Sequence, residues 1–372
     1  MAPSDTTHRA AAALRAAHDD PLLHARDWAA RGRPVVGYVG ADTPVELITA
    51  AGALPVRLTG RPGRDTRRAR AYLDGAVDPH TVNLLAGLLD PEGPALDLLV
   101  LTHDCDASVQ LFHTLRELRR IRAEELPPFH FADLLHLPGE ATRRYNLRGL
   151  RRLADQLGAW RGAALTPAEL EEAVAAHNAA RAARRELRGR RAAELSGADA
   201  LRWYTAGTVM PPGLYARTLT EALSAPGTPP PGRPLFLSGS AHDTAAVYDT
   251  LEAGGWRVVG DDHDSGDSAD QPPVAEPTLE GLAEHYTREV RPATARTARE
   301  RAGAAAAGVK EGRAEAFLCY CRRHDDAHRW DFPAQRAAAP VPSALLHDQP
   351  YGEIDTTGLD ALSDRPATEV AS

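Results

Sequence analysis

The sequence has few cysteines and no long apolar run, and both absences narrow the class of protein. Three cysteines in 372 residues do not make a disulfide framework, which argues against a small secreted scaffold. No stretch of about 18 apolar residues occurs, so we expect no membrane span. The first residues show neither the basic nor the apolar region of a secretory signal, so we expect a cytoplasmic protein.

Basic residues are fewer than acidic residues in this chain. The chain carries 43 lysines and arginines against 51 aspartates and glutamates, a formal net charge of −8. Nucleic-acid-binding proteins present a basic face, so this balance argues against a nucleic-acid partner. The arginine-rich run at residues 181–191 is interrupted by Glu186 and is expected on a solvated helix face, with an anion site as the alternative. The chain contains no glycine-rich dinucleotide loop, P-loop, serine nucleophile elbow or zinc-type cysteine quartet.

Short apolar segments alternate with predicted helices in two parts of the chain. The candidate strands are residues 35–39, 55–58, 98–102 and 129–131 in the first part, and 235–238, 256–259, 314–320 and 344–346 in the second. Uninterrupted apolar strands separated by helices are typical of parallel sheets covered on both faces. We therefore predict an α/β fold with two doubly wound parallel-sheet lobes of the Rossmann or flavodoxin type.

A helical region is predicted between the two lobes, because leucines recur there at helical spacing and Thr166 to Glu169 form a capping box. Residues 261–271 are acidic and poor in apolar side chains, which favours a mobile loop. The predicted organisation is a helical N-terminal arm (1–33), a first α/β lobe (34–138), a helical domain and linker (139–230), a second α/β lobe (231–352) and a tail (353–372).

Residues 37–60 form the most informative segment of the chain. A strand ends near Val39, Pro44 suits the first turn of a helix, and Gly52 ends that helix. The loop of such a strand–helix–strand unit lies where α/β folds place ligands. Glu46, in the first helical turn, is therefore a candidate for binding substrate or accepting a proton. The alternative is that Glu46 only stabilises the helix through its dipole.

Other candidate residues follow predicted strands in both lobes. His103 and Asp104 come directly after the strand at residues 98–102, where α/β folds place ligands. Ser238, Gly239 and Ser240 follow the first strand of the second lobe. Their backbone N–H groups suit contact with a carbonyl or phosphate of a substrate, and a plain tight turn is the alternative.

The three cysteines are candidate metal ligands, with ordinary buried apolar residues as the alternative. Cys105 follows the same strand as His103. Cys319 and Cys321 are two residues apart, so both side chains point to one face of a strand. Ligands and core residues both satisfy that pattern.

Four motifs together resemble the 2-hydroxyacyl-CoA dehydratase and benzoyl-CoA reductase component family. They are a Pro-x-Glu-Leu-Ile-x-Ala-Ala-Gly pattern, a Cys-Asp pair after a strand, an Asn-x-x-Arg helix and a Ser-Gly turn, at residues 44–52, 105–106, 178–181 and 238–239. The resemblance extends over roughly residues 34–352. It implies a D-component-like subunit of a lyase or reductase that acts on an acyl-CoA thioester. It also implies a heterodimer with a paralogous subunit and an ATP-dependent activator protein as electron donor.

The resemblance further implies a [4Fe-4S] cluster held by three cysteines, two from the first lobe and one from the second. Cys105 corresponds to the second ligand, and Cys321 or its neighbour Cys319 to the third. The first ligand would lie about 30 residues before Cys105, where residues 72–80 contain no cysteine and only His80 offers a substitute.

The incomplete ligand set leaves alternatives open. The chain either binds a cluster itself or is the cluster-poor partner of a paralogous subunit. Two other functions remain: a binding or scaffolding protein that has kept the fold without redox chemistry, and a non-redox enzyme that acts on an acyl thioester.

Overall fold

Two four-stranded parallel sheets form the framework of the protein, which the computed structural model describes over residues 5–73, 75–228 and 230–362. The first sheet contains β1 (Val35–Val39), β2 (Leu54–Arg57), β3 (Leu98–Thr102) and β4 (Phe129–Ala132), in the order β2-β1-β3-β4. The second contains β5 (Arg233–Gly239), β6 (Trp256–Asp261), β7 (Ala316–Arg322) and β8 (Ser343–Gln349), in the order β6-β5-β7-β8. All neighbouring strands run parallel. The predicted α/β fold with two parallel-sheet lobes is confirmed, with small shifts at strand ends.

Fourteen α-helices lie in the described part of the chain. They are α1 (Asp5–Asp19), α2 (Leu23–Ala29), α3 (Val45–Ala50), α4 (Arg67–Arg70), α5 (Pro79–Leu88), α6 (Asp106–Arg120), α7 (Glu140–Arg161), α8 (Pro167–Glu194), α9 (Gly197–Ala206), α10 (Pro212–Ala222), α11 (Ala246–Ala253), α12 (Leu279–Arg288), α13 (Ala298–Glu311) and α14 (Ala327–Ala338). Helices α7 to α10 lie between the two sheets in the sequence, where the helical region is predicted.

The first sheet is covered on both faces, and every residue of its inner strand β3 is buried. In β3, Leu98 and Val100 pack on one face with residues of α3, α7 and α12. Leu99 and Leu101 pack on the opposite face with residues of α5 and α6. Side chains alternate across a strand, so a continuous apolar run supplies two cores at once.

The second sheet follows the same rule. In β7, Leu318 and Tyr320 pack with residues of α11 on one face. Phe317, Cys319 and Cys321 pack on the other face with residues of α13 and α14. The two cysteines therefore belong to the apolar core between the second sheet and α13 and α14.

Helix α8 connects the two lobes. It begins with the predicted capping box, in which the Glu169 N–H donates to the Thr166 hydroxyl at 3.3 Å and the Thr166 N–H donates to the Glu169 carboxylate at 2.7 Å. Its 28 residues contact α3 of the first lobe, β6 of the second lobe and α10. The position of one long helix thus fixes both sheets relative to each other.

The segment at residues 261–271 is packed, and the prediction of a mobile solvated loop is wrong. Asp261 and His263 are buried. Arg191, on α8, forms ion pairs with Asp261 at 2.7 Å and with Asp267 at 2.9 Å. A buried arginine from another element provides the counter-charge that an acidic segment needs in order to leave water.

Two further observations concern the chain as a whole. Within the described ranges, no helix has both the length and the apolar character needed to cross a membrane. Residues 1–4 of the predicted N-terminal arm and 363–372 of the predicted tail lie outside the described residues. The rest of the tail includes a 3₁₀ helix (Thr356–Leu362), whose Leu359 and Leu362 join the apolar core of the second lobe.

Candidate functional site

A cavity of about 650 Å³ lies between the two lobes, where the carboxyl ends of their strands face each other. We call it the interlobe cavity. Ligands of open α/β sheets bind at this edge because loops and helix starts converge there. Its wall includes Gly40 after β1, Asp104 and Cys105 after β3, Gly239 at the end of β5, Asp264 after β6 and Arg322 at the end of β7.

Asp104 forms the polar part of the first-lobe wall. Its carboxylate accepts hydrogen bonds from the Ala41 N–H at 3.0 Å and the Ser108 hydroxyl at 2.6 Å. Burial raises the pKa of Asp104, and the neighbouring Asp42 carboxylate raises it further. Asp42 is itself buried and accepts hydrogen bonds from Thr102 and, at 2.8 Å, from His136. Asp104 is thus a carboxyl group that retains its proton more readily than an exposed one.

Cys105 lies beside Asp104 in the same wall. Its sulfur is 3.4 Å from the Ser108 hydroxyl. Burial raises the pKa of the Cys105 thiol well above its usual value, and the Asp104 carboxylate raises it further. The thiolate is the nucleophilic and metal-binding form of cysteine, so this environment favours the unreactive thiol.

The other two cysteines lie outside the interlobe cavity. Cys319 and Cys321 are 0% and 1% exposed, and their sulfurs are 3.8 Å apart. Their neighbours are apolar side chains, including Phe236 and Phe317. The structure therefore brings these two cysteines together with each other but places only Cys105 in the cavity wall.

The residues present do not fit a four-iron cluster. Such a cluster needs several thiolates around one site. In residues 5–73, 75–228 and 230–362, no three or more His, Cys, Asp or Glu side chains are grouped so that they could hold a metal ion. The assignment of Cys105, Cys319 and Cys321 as metal ligands stays a prediction from the family resemblance.

An ion pair occupies the region where the resemblance places the first ligand. Asp78 accepts the His80 N–H at the start of α5 and also forms a two-pronged ion pair with Arg322, with contacts of 3.0 and 2.8 Å. Arg322 is 5% exposed and belongs to the second lobe. This pair joins the lobes at the wall of the interlobe cavity.

His80, the substitute ligand considered from the sequence, also makes an interlobe contact. Its Nε2 atom lies 3.1 Å from the Asp243 carboxylate. Asp243 further accepts the Gly60 N–H at 2.7 Å and the Tyr351 hydroxyl at 2.9 Å. Burial would raise the pKa of Asp243, but His80 and the hydrogen bonds lower it. The imidazole is therefore engaged by a carboxylate of the protein itself.

Glu46 lies in the first turn of α3, as predicted, but it is fully buried. Its carboxylate forms an ion pair with Arg181 and accepts the Tyr286 hydroxyl at 2.7 Å. Burial would raise its pKa, but Arg181 and His177 outweigh this effect and lower it to about 2. Glu46 and Arg181 belong to two separate motifs of the family resemblance, and the structure brings those motifs together.

The turn after β5 satisfies its own polar groups. Ser238 donates to Asp262 at 2.8 Å, and Ser240 donates to Asp325 at 2.5 Å. The Gly239 N–H donates to Asp262 at 3.3 Å. Gly239 has φ = +114°, and a Cβ atom there would lie 2.0 Å from the Tyr320 carbonyl oxygen, so only glycine fits. Four residues are predicted to bind substrate: Ser238, Gly239, Ser240 and His103. Of these, Gly239 and His103 line the cavity.

His103 is at the mouth of the interlobe cavity and is the most accessible of the predicted residues there. Its side chain is 44% exposed, and its Nδ1 atom lies 3.1 Å from the Asp133 carboxylate. Asp133 also accepts the Tyr145 hydroxyl at 2.6 Å. His103 is therefore oriented by a carboxylate and remains available to a ligand.

The sequence analysis did not identify several charged residues of the site. Arg57, Asp264, Arg322 and Asp325 all line the interlobe cavity. Each lies at or just after the end of a strand, and this position is the only feature of the local sequence that could have indicated a site residue. Asp325 is partly buried, and contact with His328 at 3.4 Å and with Arg322 lowers its pKa against the effect of burial.

Two parallel-sheet lobes with a polar cavity at their facing strand ends define an α/β protein with a candidate ligand site between its lobes. Comparison with known families identifies the group more closely. A family model described as 2-hydroxyglutaryl-CoA dehydratase, D-component matches residues 41–340, and the chain belongs to this family. The resemblance seen in the four motifs is thereby confirmed at the level of the family. No curated protein was found to match the chain.

Proposed function

We propose that the chain is the cluster-poor subunit of a 2-hydroxyacyl-CoA dehydratase-like enzyme. In this proposal its interlobe cavity contributes to the binding of an acyl-CoA thioester, and a paralogous subunit carries the [4Fe-4S] cluster. Membership in the D-component family supports the dehydratase class. The observation that carries the cluster-poor assignment is the Asp78–Arg322 ion pair, which stands where the first cluster ligand is expected.

The remaining donors support the same assignment. His80 is engaged by Asp243, and Cys319 and Cys321 lie in an apolar core. Cys105 alone among the cysteines lines the interlobe cavity, and its environment favours the thiol. A chain with one accessible thiol does not supply three ligands, so the complete ligand set is assigned to the partner.

Asp104 has the properties of an acid in this cavity. Removal of water from a 2-hydroxyacyl thioester breaks a C–O bond, and the departing hydroxyl group needs a proton. A carboxyl group whose pKa is raised by burial and a second carboxylate retains its proton more readily than an exposed one, which is the property that a general acid for this step needs. The Ala41 N–H and the Ser108 hydroxyl keep the Asp104 side chain at the cavity wall.

The partners follow from the family. The family description names a D-component, which is one part of an enzyme with several components. We assign this chain a paralogous subunit as permanent partner and an ATP-dependent activator as electron donor, all in the cytoplasm.

Co-expression with a paralogous subunit encoded nearby tests the assignment. The expected result is a stable heterodimer, measured by size-exclusion chromatography with light scattering, that contains about four iron atoms and four sulfides after anaerobic purification. The chain purified alone is expected to contain no stoichiometric iron. A cluster bound by this chain alone, or a monomer that is active without a partner, would contradict the proposal.

A non-redox enzyme that acts on an acyl thioester is the second candidate. It is favoured by the neighbouring carboxyl groups of buried Asp42 and partly buried Asp104, because such a pair performs acid–base chemistry without a metal. Turnover of a 2-hydroxyacyl-CoA by the purified chain, without iron, reductant or activator, would support this candidate over the first. Turnover that requires all three would exclude it.

A further inference from the structure

A second cavity, of about 80 Å³, lies deeper in the protein, between the first sheet, α8 and the segment at residues 286–296. We call it the arginine cavity because five arginines line it: Arg57, Arg181, Arg184, Arg291 and Arg296. It shares Gly40, Arg57 and Asp264 with the interlobe cavity, so the two cavities adjoin. Five arginines therefore line one small cavity in a chain whose net charge is −8.

Two of the five arginines have carboxylate partners. Arg181 pairs with Glu46, and Arg291 pairs with Glu300 at 2.6 Å. The other three, Arg57, Arg184 and Arg296, form no ion pair within 4 Å among the residues that the structure describes. The cavity therefore holds uncompensated positive charge.

The acidic groups of the cavity wall do not remove this excess. Asp264 accepts the Ala293 N–H at 3.1 Å, and burial raises the pKa of its carboxyl group despite the opposing effect of Arg57. Glu289 is exposed at the rim. Within the cavity wall, one partly buried carboxyl group and one exposed carboxylate thus face three guanidinium groups that form no ion pair. Two further carboxyl groups outside this wall, Asp104 and Asp270, lie near Arg57 and Arg184.

Arg57, on β2, and Arg184, on α8, both line the cavity, and each guanidinium group donates to a backbone carbonyl. Arg57 donates to the Asp264 carbonyl at 3.3 Å, and Arg184 donates to the Gly207 carbonyl at 3.0 Å. The Nε atoms of Arg184 and Arg291 are buried and have no hydrogen-bond partner in the protein. A buried N–H group without an acceptor is costly, so an acceptor from outside the chain is expected.

We infer that the arginine cavity binds a small oxyanion, a carboxylate or a phosphate, through Arg57 and Arg184. The planar guanidinium fork matches both kinds of oxyanion, and burial strengthens such charge-assisted hydrogen bonds. The volume accommodates a group of a few heavy atoms, since one water molecule occupies about 30 Å³ of liquid. The site is too small for a coenzyme A thioester and lies beside the cavity assigned to it. The inference therefore goes beyond the proposed function and does not depend on it.

Binding of phosphate and succinate to the purified full-length chain tests the inference. Thermal unfolding and calorimetric titration are measured with each anion, and with chloride at the same ionic strength. The expected result is a saturable rise in melting temperature with at least one oxyanion and none with chloride. The comparison of phosphate with succinate decides which kind of oxyanion the site prefers.

Two variants and a matched control assign the effect to the cavity. Arg57→Gln and Arg184→Gln are each expected to weaken oxyanion binding at least tenfold, because each removes a charged donor. Arg185→Gln is the control. Arg185 neighbours Arg184 on α8 but points to a different cavity and pairs with Asp270 at 3.5 Å. Its replacement is expected to leave oxyanion binding unchanged.

A measurement without substitutions covers the case in which a variant fails to fold. Crystals of the wild-type chain soaked in tungstate, an electron-dense oxyanion, are expected to show a strong peak within hydrogen-bonding distance of both Arg57 and Arg184. No such peak at millimolar tungstate would overturn the inference. So would equal stabilisation by chloride and both oxyanions, or equal loss of binding in all three variants.

Discussion

Replacement of Glu46 by glutamine tests how the two family motifs are held together. Glutamine keeps the shape of the side chain and an oxygen for the Tyr286 hydroxyl, but it removes the negative charge. Arg181, which is 4% exposed, then remains buried without its counter-charge. We expect Glu46→Gln to destabilise the protein strongly.

Two estimates of the magnitude agree. Removal of one partner from a buried ion pair costs about 3–5 kcal/mol. The pKa of Glu46 is lowered from 4.5 to about 2, with Arg181 and His177 outweighing burial. At about 1.4 kcal/mol per pKa unit, neutralising this carboxylate in the folded protein costs about 3–4 kcal/mol. A helix-dipole interaction alone would contribute only about 0.3–1 kcal/mol.

The linkage also predicts a pH dependence. The pKa of Glu46 is lower in the folded chain than in the unfolded chain, so its stabilisation is complete above about pH 4.5 and is lost as the pH falls toward 2. In Glu46→Gln this part of the acid destabilisation should be absent. The difference in unfolding free energy between wild type and variant should therefore shrink as the pH falls through that window.

Urea unfolding followed by circular dichroism at pH 7 and pH 3 measures both effects. Glu140→Gln is the matched control, because Glu140 also lies in a first helical turn but pairs with Arg143 in an exposed position, at 2.8 Å. Its loss should stay below about 1 kcal/mol. If both variants lose the same small amount, the ion-pair reasoning is refuted. The catalytic role of Glu46 stays a prediction, and reduced turnover with unchanged stability would favour it.

Three further predictions concern the interlobe cavity. Asp78→Asn should lower the free energy of unfolding by about 3 kcal/mol, because buried Arg322 loses its partner. It should also speed amide hydrogen exchange at the lobe junction. An equal loss of stability in the exposed control Asp65→Asn would contradict this reasoning. Asp104→Asn should raise the melting temperature at pH 7 and lower turnover. Its carboxyl pKa is raised on folding, so it destabilises the native state increasingly as the pH rises above 3.8; a lower melting temperature would refute the argument. Cys105 should react more slowly with iodoacetamide at pH 7 than free cysteine, as mass spectrometry can show, whereas fast alkylation would indicate a thiolate.

The positions of the strands and the class of fold were predictable because both depend on local pattern. Runs such as residues 98–101 are apolar at every position, and a strand buried on both faces needs that pattern. The capping box at Thr166 and Glu169 depends on residues only three positions apart. The family was recognisable because four motifs occur in order, and the order of motifs is a property of the chain alone.

The partners of the charged residues were not predictable, because they come from distant parts of the chain. Asp78 and Arg322 are 244 positions apart, and Glu46 and Arg181 are 135 apart. Residues 261–271 have the composition of a solvated loop, and their burial depends on distant partners, above all the counter-charge of Arg191 on α8. The sequence by itself determined the two sheets and the family. The tertiary structure decided which charges are paired, which cysteine meets a cavity and which arginines remain without a carboxylate, because packing sets each group's distance to its neighbours and to water.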